Sequence, residues 1–363
     1  MYSNADLDAA VEAGALSSES VLAFRRFVAA RQGSSLVDEE QFRLLTGFND
    51  IFVAIAGIIL LVALGMLGQI ICRQLGLVPP EGPEGAAPLG GLLVAGAAWA
   101  LGEYFTRARR MALPSILFLL AYAGGVMWML VSLAMLAFPE AGGATGAALV
   151  SGCALLTALA TLAHWRRFGV PITIAALAAA LAGAVIAAAI AWLPLLGEEP
   201  YWPMLACGIA VFVFAMRWDM SDRERRTRRA DVAFWLHLLA APLIAHALFH
   251  LLGAFDEHLS TAGGLVVVLL YMAFGLVALA IDRRALLVSS LAYVLWALQM
   301  LLQHVGGLQV GMALTALVIG SALLLLSAFW HAARAMVVAR LSQALAARLP
   351  PVHEPAARAG LMA

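Results

Sequence analysis

The sequence predicts an all-α fold, a polytopic membrane helix bundle of about ten transmembrane helices with both termini cytoplasmic. Three observations carry that expectation. Hydrophobic residues make up 63% of the 363-residue chain, charged residues only 12%, and mean hydropathy is +0.93. The apolar residues gather into runs of about 20, the length a helix needs to cross a hydrocarbon core of ~30 Å. Arginines recur at alternate connections between those runs. Soluble domains are nearer ~45–50% apolar and roughly 25% charged, so a water-soluble enzyme is excluded. A β-barrel would alternate polar and apolar residues along each strand and lower the mean hydropathy.

The apolar runs fall at residues 50–72, 88–105, 113–137, 144–164, 170–193, 201–217, 231–252, 261–281, 285–303 and 308–330. Arg107, Arg109 and Arg110 follow the second run, and Arg166 and Arg167 the fourth. Arg217, Arg223, Arg225, Arg226, Arg228 and Arg229 follow the sixth, Arg283 and Arg284 the eighth, and Arg334 and Arg340 the tenth. The remaining connections hold Arg73 but also Glu81, Glu84, Glu140, Glu198, Glu199, Asp256 and Glu257. Short arginine-rich loops stay in the cytoplasm, so both termini are expected there and the number of spans is even.

Residues 1–48 read as a small cytoplasmic helical module ahead of a transmembrane domain at 49–331. Leu7, Ala10 and Val11 sit at helical spacing, and Gly14 is a helix stop. Ser17 or Ser18 caps a second helix carrying Val21, Phe24, Phe27 and Val28. About 45 residues is too few for a robust isolated core, so residues 1–46 are expected to pack on the membrane domain or on a protein partner. The start lacks the basic residues and apolar core of a signal peptide. After the last span, Met336, Val337, Leu341, Leu345 and Leu349 suit an interfacial amphipathic helix over 332–349. Pro350 and Pro351 end it, and 350–363 reads as a disordered tail.

Arginine pairs recur at 109–110, 166–167, 228–229 and 283–284, at steps of 57, 62 and 55 residues between the second arginines. Each step spans two helices and two loops, which raises a two-helix hairpin repeat. Pro114 and Pro171 follow their arginine pairs at the same offset, in the first turn of the incoming helix, where proline removes no intrahelical bond. The positive-inside rule alone would also give arginines this period.

Ionisable residues within a bilayer are costly and are functional candidates by default. Glu103, one turn from the end of the second span, has Arg107 at i+4 and reads as a boundary ion pair. The seventh span carries His237, Pro242, His246 and His250. Pro242 is expected to kink or gate this helix. His246 and His250 share a face, with His237 on the other. The ninth span adds the polar residues Gln299 and Gln303, and then His304. Two imidazoles at i, i+4 with His304 or a nearby carboxylate form a candidate metal or haem site. His164 and His331, beside Trp165 and Trp330, read as interface anchors. Otherwise no cofactor is expected.

Cys72, Cys153 and Cys207 lie far apart in apolar runs and suggest neither disulfides nor a zinc site. Alanine- and glycine-rich stretches such as Ala175 to Ala191 fit close helix packing. There is no P-loop, GxSxG or HExxH motif, and no basic run interleaved with aromatics, so neither catalysis nor nucleic-acid binding has support.

Three segments carry a loose resemblance: Asp6 to Ser17, Glu103 to Pro114, and Leu323 to Arg334 with Phe329-Trp330-His331. They resemble a group of bacterial multi-pass inner-membrane proteins catalogued only as domains of unknown function. The resemblance implies a bacterial inner-membrane protein and brings no catalytic residues. Two classes stay open. One is a transporter or permease for a small solute or lipid; the other is a non-transporting scaffold or sensor subunit. A metal- or haem-binding protein using the seventh-span histidines is a more distant alternative.

Overall fold

A computed structural model describes residues 7, 10–31, 48–78, 86–193, 200–223, 225, 227–253, 261–284, 287, 291, 295, 313–314 and 316–351. The chain divides into two compact units, residues 1–42 with 353–363, and residues 43–352. In the first unit, Gly14 takes a left-handed φ of 69° and ends a helical turn. The helix α1 (Ser18–Arg31) follows, and the Ser17 hydroxyl caps it by accepting from the Ser20 N–H at 3.1 Å.

Among its described residues the second unit consists of helices and the turns that join them. In order come α2 (Phe48–Gln74), α3 (Pro88–Leu101), α4 (Ala112–Ala137), α5 (Gly143–Phe168) and α6 (Ile172–Trp192). Then follow α7 (Tyr201–Ser221), α8 (Arg228–Leu251), α9 (Thr261–Ile281), α10 (Ala316–Ala328), α11 (Trp330–Val338) and α12 (Gln343–Ala346). Among the described residues six helices are long and apolar enough to cross a membrane, or seven if α10 and α11, bent by 75°, are one broken span. The expected ninth span, 285–303, lies almost wholly outside the described residues, as does the start of the tenth.

Helix α2 shows why this is a membrane protein. Its buried stripe is Ala54, Gly57, Leu61, Gly65, Gly68 and Cys72, at the three- and four-residue spacing of one helical face. Its opposite face carries exposed Ile55, Ile59, Val62 and Met66. Small residues face the bundle and large apolar ones face outward, an arrangement favourable only when the solvent is lipid.

The small residues set the helix separations. A Cβ on Gly68 would lie 2.5 Å from the Gly90 Cα, and one on Gly91 would overlap backbone atoms of Met129 and Gly125. Such contacts let α2, α3 and α4 pack backbone to backbone. Polar side chains add cross-links: Ser132 Oγ accepts from the Ala87 N–H, and Ser151 Oγ donates to the Ala184 carbonyl.

Each of α4, α6 and α8 packs most extensively on the helix that reaches it through an arginine-bearing turn, and less on the next hairpin. Among the described residues each of the four such turns has a left-handed residue: Arg110, Gly169, Arg225 and Asp282. Pro114 falls in the first turn of α4 and Pro171 caps α6.

Two differences from the sequence expectation concern the second span and residues 332–349. The second span does not remain α-helical; it continues from α3 into a π-helical segment, Gly102–Ala108, closed by the Arg109 N–H on the Tyr104 carbonyl. Helix α8 runs unbroken through Pro242. Residues 332–349 form two short pieces, the end of α11 and α12, separated by a turn at 339–342. Met336 and Leu345 point outward there, whereas Arg334 and Leu349 are buried.

Candidate functional site

The arginine-bearing end of the second half of the bundle holds a buried polar network. Asp219, in the last turn of α7, is 4% exposed. Arg283, just after α9, donates from Nη2 to Asp219 Oδ1 at 2.5 Å and from Nε to Oδ2 at 3.3 Å. The same Nη2 donates to the Ala230 carbonyl at 3.2 Å. His237 of α8 is fully buried, with Nε2 2.9 Å from Asp219 Oδ2 and the Phe212 ring edge-on to the imidazole. A carboxylate only accepts, so Nε2 carries the shared proton. Nδ1 of His237 is buried with no hydrogen-bond partner among the described residues.

Asp219 and Arg283 balance one another's charge. That balance lets them stay buried, because an isolated carboxylate or guanidinium in a low dielectric carries a desolvation cost of several kcal/mol, about 3–5 when a partner is removed.

The neighbouring Asp282 faces a different set. Its Oδ2 accepts from Arg225 Nη1 at 3.0 Å and its Oδ1 from Trp330 Nε1 at 2.7 Å. Arg334 Nε lies 3.7 Å from Oδ1. Arg225 Nη2 also donates to the carbonyls of Ile281 and Asp282. Arg334 donates to the carbonyls of Pro350 and Pro351, Arg223 donates to that of Leu349, and the Arg284 guanidinium stacks on the Trp330 ring at 4.9 Å. Through these contacts the turns after α7 and α9 hold the segment 330–351.

Glu103 forms a third group. Its expected partner Arg107 is 3.4 Å away, but the closer one is Arg167, which donates from Nε at 2.6 Å and from Nη2 at 2.9 Å. The pair ties the π-helical segment to the end of α5 across two hairpins.

At the far end of α8, His246 and His250 lie on one face with ring centroids 4.5 Å apart, as their spacing requires, and Tyr201 stacks on His250 at 4.2 Å. His304, Gln299 and Gln303 lie outside the described residues. Among the described residues no group of three or more His, Cys, Asp or Glu converges as a metal site would.

Of the two expected anchors, His164 and His331, the first proves to be buried and the second is exposed. His164 is 2% exposed, enclosed by Trp99, Tyr122 and Phe168, with Thr173 Oγ1 at 3.4 Å from Nδ1. Trp330 is 3% exposed because its indole N–H is committed to Asp282, while His331 beside it is exposed.

Asp219 and Asp282 were not legible as site residues. Each stands within a few positions of arginines, and so looks like a loop charge. The available signal was that both carboxylates sit at the arginine-rich end, where an acid has cations to pair with.

No family model, curated protein or solved structure matches this chain. This is an integral, multi-pass, all-α membrane protein whose spanning helices contact the lipid bilayer.

Proposed function

We propose that this protein is a transporter or permease for a small solute or lipid, with proton exchange at Asp219, His237 and Arg283 as its coupling step. The observation that carries this reading is the His237 imidazole. One of its nitrogens is held by a carboxylate, and the other is buried with no partner among the described residues. Ionisable groups enclosed among membrane helices are costly and are functional candidates by default, proton relays among them. In this mechanism Nδ1 takes a proton, the extra charge strengthens the pull on Asp219, and Arg283 loosens toward the Ala230 carbonyl. Loss of the proton reverses the change. The three groups come from α7, α8 and the turn after α9, so a shift between them moves helices relative to one another.

The reading includes a bacterial inner-membrane location, about ten spans and cytoplasmic termini. Its support is the arginine-bearing turns and the ion pair that joins two of them, Glu103 with Arg167. Residues 332–349 lie at the interface in this arrangement.

The test is a set of proteoliposomes loaded with a pH-sensitive dye and given gradients of amino acids, carboxylates, sugars and organic cations. At least one class is expected to move protons, and Asp219→Asn to abolish the signal. If no class does so, the coupling reading fails.

A second reading, a scaffold or sensor subunit, is favoured by the way Asp282 latches the segment 330–351 to two turns. It expects partners that co-purify with the full chain and are lost when residues 1–46 are deleted. A metal- or haem-binding role for His246, His250 and His304 is tested by elemental analysis and visible spectroscopy of the purified protein.

A further inference from the structure

The segment 330–351 is tied to the same turn that completes the Asp219, His237 and Arg283 site. Asp282 and Arg283 are consecutive, yet their side chains serve different partners. Arg283 forks onto Asp219. Asp282 accepts from the Trp330 indole at 2.7 Å and from Arg225 at 3.0 Å. The grip on the segment and the grip on the site therefore share one short stretch of backbone.

The segment also walls the site. Trp330 and Leu349, 3% and 8% exposed, share an apolar cluster with Ala241, one turn beyond His237 on the same face of α8. Phe212 packs on that cluster and lies edge-on to the His237 ring, with centroids 5.3 Å apart. Lifting the segment would strip one side of the layer that encloses the imidazole.

The hold is centred on two unusual residues. Arg225 and Asp282 both take left-handed backbone, with φ of 51° and 58°, a conformation uncommon for residues with a Cβ. They bond to each other: Arg225 donates to the Asp282 carboxylate and to the carbonyls of Ile281 and Asp282. Such a conformation persists only while its surroundings over-determine it, and it clusters at switch regions. At the far end of the segment the grip is on backbone. Arg223 holds the Leu349 carbonyl, and Arg334 holds those of Pro350 and Pro351. Arg334 Nε and His237 Nδ1 are both buried with no hydrogen bond among the described residues. Each would gain one from water on opening, which offsets part of the cost of breaking the hold.

We propose that residues 330–351 form a strap over the Asp219, His237 and Arg283 site. Closed, it keeps water from His237 and fixes Arg283 on Asp219. Released, it admits water to the imidazole. As a gate on proton exchange the strap rests on the transport reading; its coupling to the buried network does not.

Diethyl pyrocarbonate, which modifies accessible imidazoles, reads that coupling by peptide mass spectrometry of the full-length protein in detergent. His164 is the control. It is also buried, but in the first half of the bundle, enclosed by Trp99, Tyr122 and Phe168. Trp330→Phe should raise the His237 rate about tenfold, the effect of one buried acceptor left unsatisfied, and leave His164 unchanged. Arg223→Ala, at an exposed position that does not threaten folding, should raise the His237 rate in the same direction. Coupling is reciprocal, so Asp219→Asn should speed trypsin cleavage at Arg340 and Arg348 relative to sites elsewhere in the chain. A His237 rate unchanged in both strap variants would overturn the proposal, as would a His164 rate that rises with it. So would strap cleavage unaltered by Asp219→Asn. Proteoliposomes that pass no protons would sink the transport reading and leave these rate ratios standing.

Discussion

Arg283 and Asp219 meet across 64 positions through two hydrogen bonds, at 2.5 and 3.3 Å, in a site where both side chains are less than 5% exposed. This contact, beside those of Arg225 with Asp282, joins the end of α7 to the turn after α9. The Ala230 carbonyl and His237 complete it from α8.

Removing one partner of a buried pair is more damaging than replacing both. Asp219→Leu leaves the Arg283 charge uncompensated and is expected to cost about 3–5 kcal/mol, whereas Asp219→Leu with Arg283→Met should recover much of that. Thermal unfolding of the single and double variants in detergent makes the comparison. Additive losses would mean that the two side chains do not act as a pair.

The Glu103–Arg167 pair has the better hydrogen-bond geometry but a wetter setting, with side chains 33% and 43% exposed. Water and salt screen exposed pairs, so Glu103→Gln should leave the unfolding temperature within experimental error, and any difference should vanish at high salt. A loss comparable to that of Asp219→Leu would show that lipid, not water, surrounds the pair.

Most of the spanning helices were legible because a bilayer requires long apolar runs; the expected run at 113–137 is α4 at Ala112–Ala137. The shared face of His246 and His250 followed from helical periodicity alone. The partner of Glu103 did not. Local spacing names Arg107, and only the packing of two hairpins brings Arg167 closer. The π-helical turn at Gly102–Ala108 left no signal in apolar periodicity. Asp219 fell beyond the apolar run read as ending at 217, and α7 extends to Ser221. Its burial depends on Arg283, whose position is a tertiary fact. Long-range pairing of polar groups is therefore what the sequence reading lacked.

The α3–α4 crossing depends on Gly91. Its missing Cβ leaves room for the Met129 N–H and the Gly125 carbonyl, both backbone, so no rotamer change relieves an added methyl. Gly91→Ala should destabilise by about 1–3 kcal/mol or more, as overpacking does, although alanine is the better helix former. Gly96→Ala, on the same helix and with nothing within 4 Å of its Cβ, should be neutral or slightly stabilising. Comparing the two variants by thermal unfolding separates packing from propensity. Equal effects would remove the close-approach explanation.

Trp330 is the pin of the C-terminal latch. Its indole N–H donates to Asp282 at 2.7 Å while its ring lies under the Arg284 guanidinium. Trp330→Phe keeps an aromatic ring for Arg284 but leaves the Asp282 oxygen one donor short. An unsatisfied buried acceptor costs about 1–3 kcal/mol, which corresponds to about a tenfold rise in local opening of the 330–351 segment. Trypsin reads that opening, because Arg340 and Arg348 lie within the segment and are exposed. Cleavage after these residues should accelerate about tenfold in Trp330→Phe when opening and closing are fast relative to cleavage. Cleavage elsewhere in the chain should not change. Identical rates at Arg340 and Arg348 in the two proteins would mean that the segment is held by Arg334 and Arg223 through the backbone carbonyls of Leu349, Pro350 and Pro351, with the indole contributing nothing to the hold.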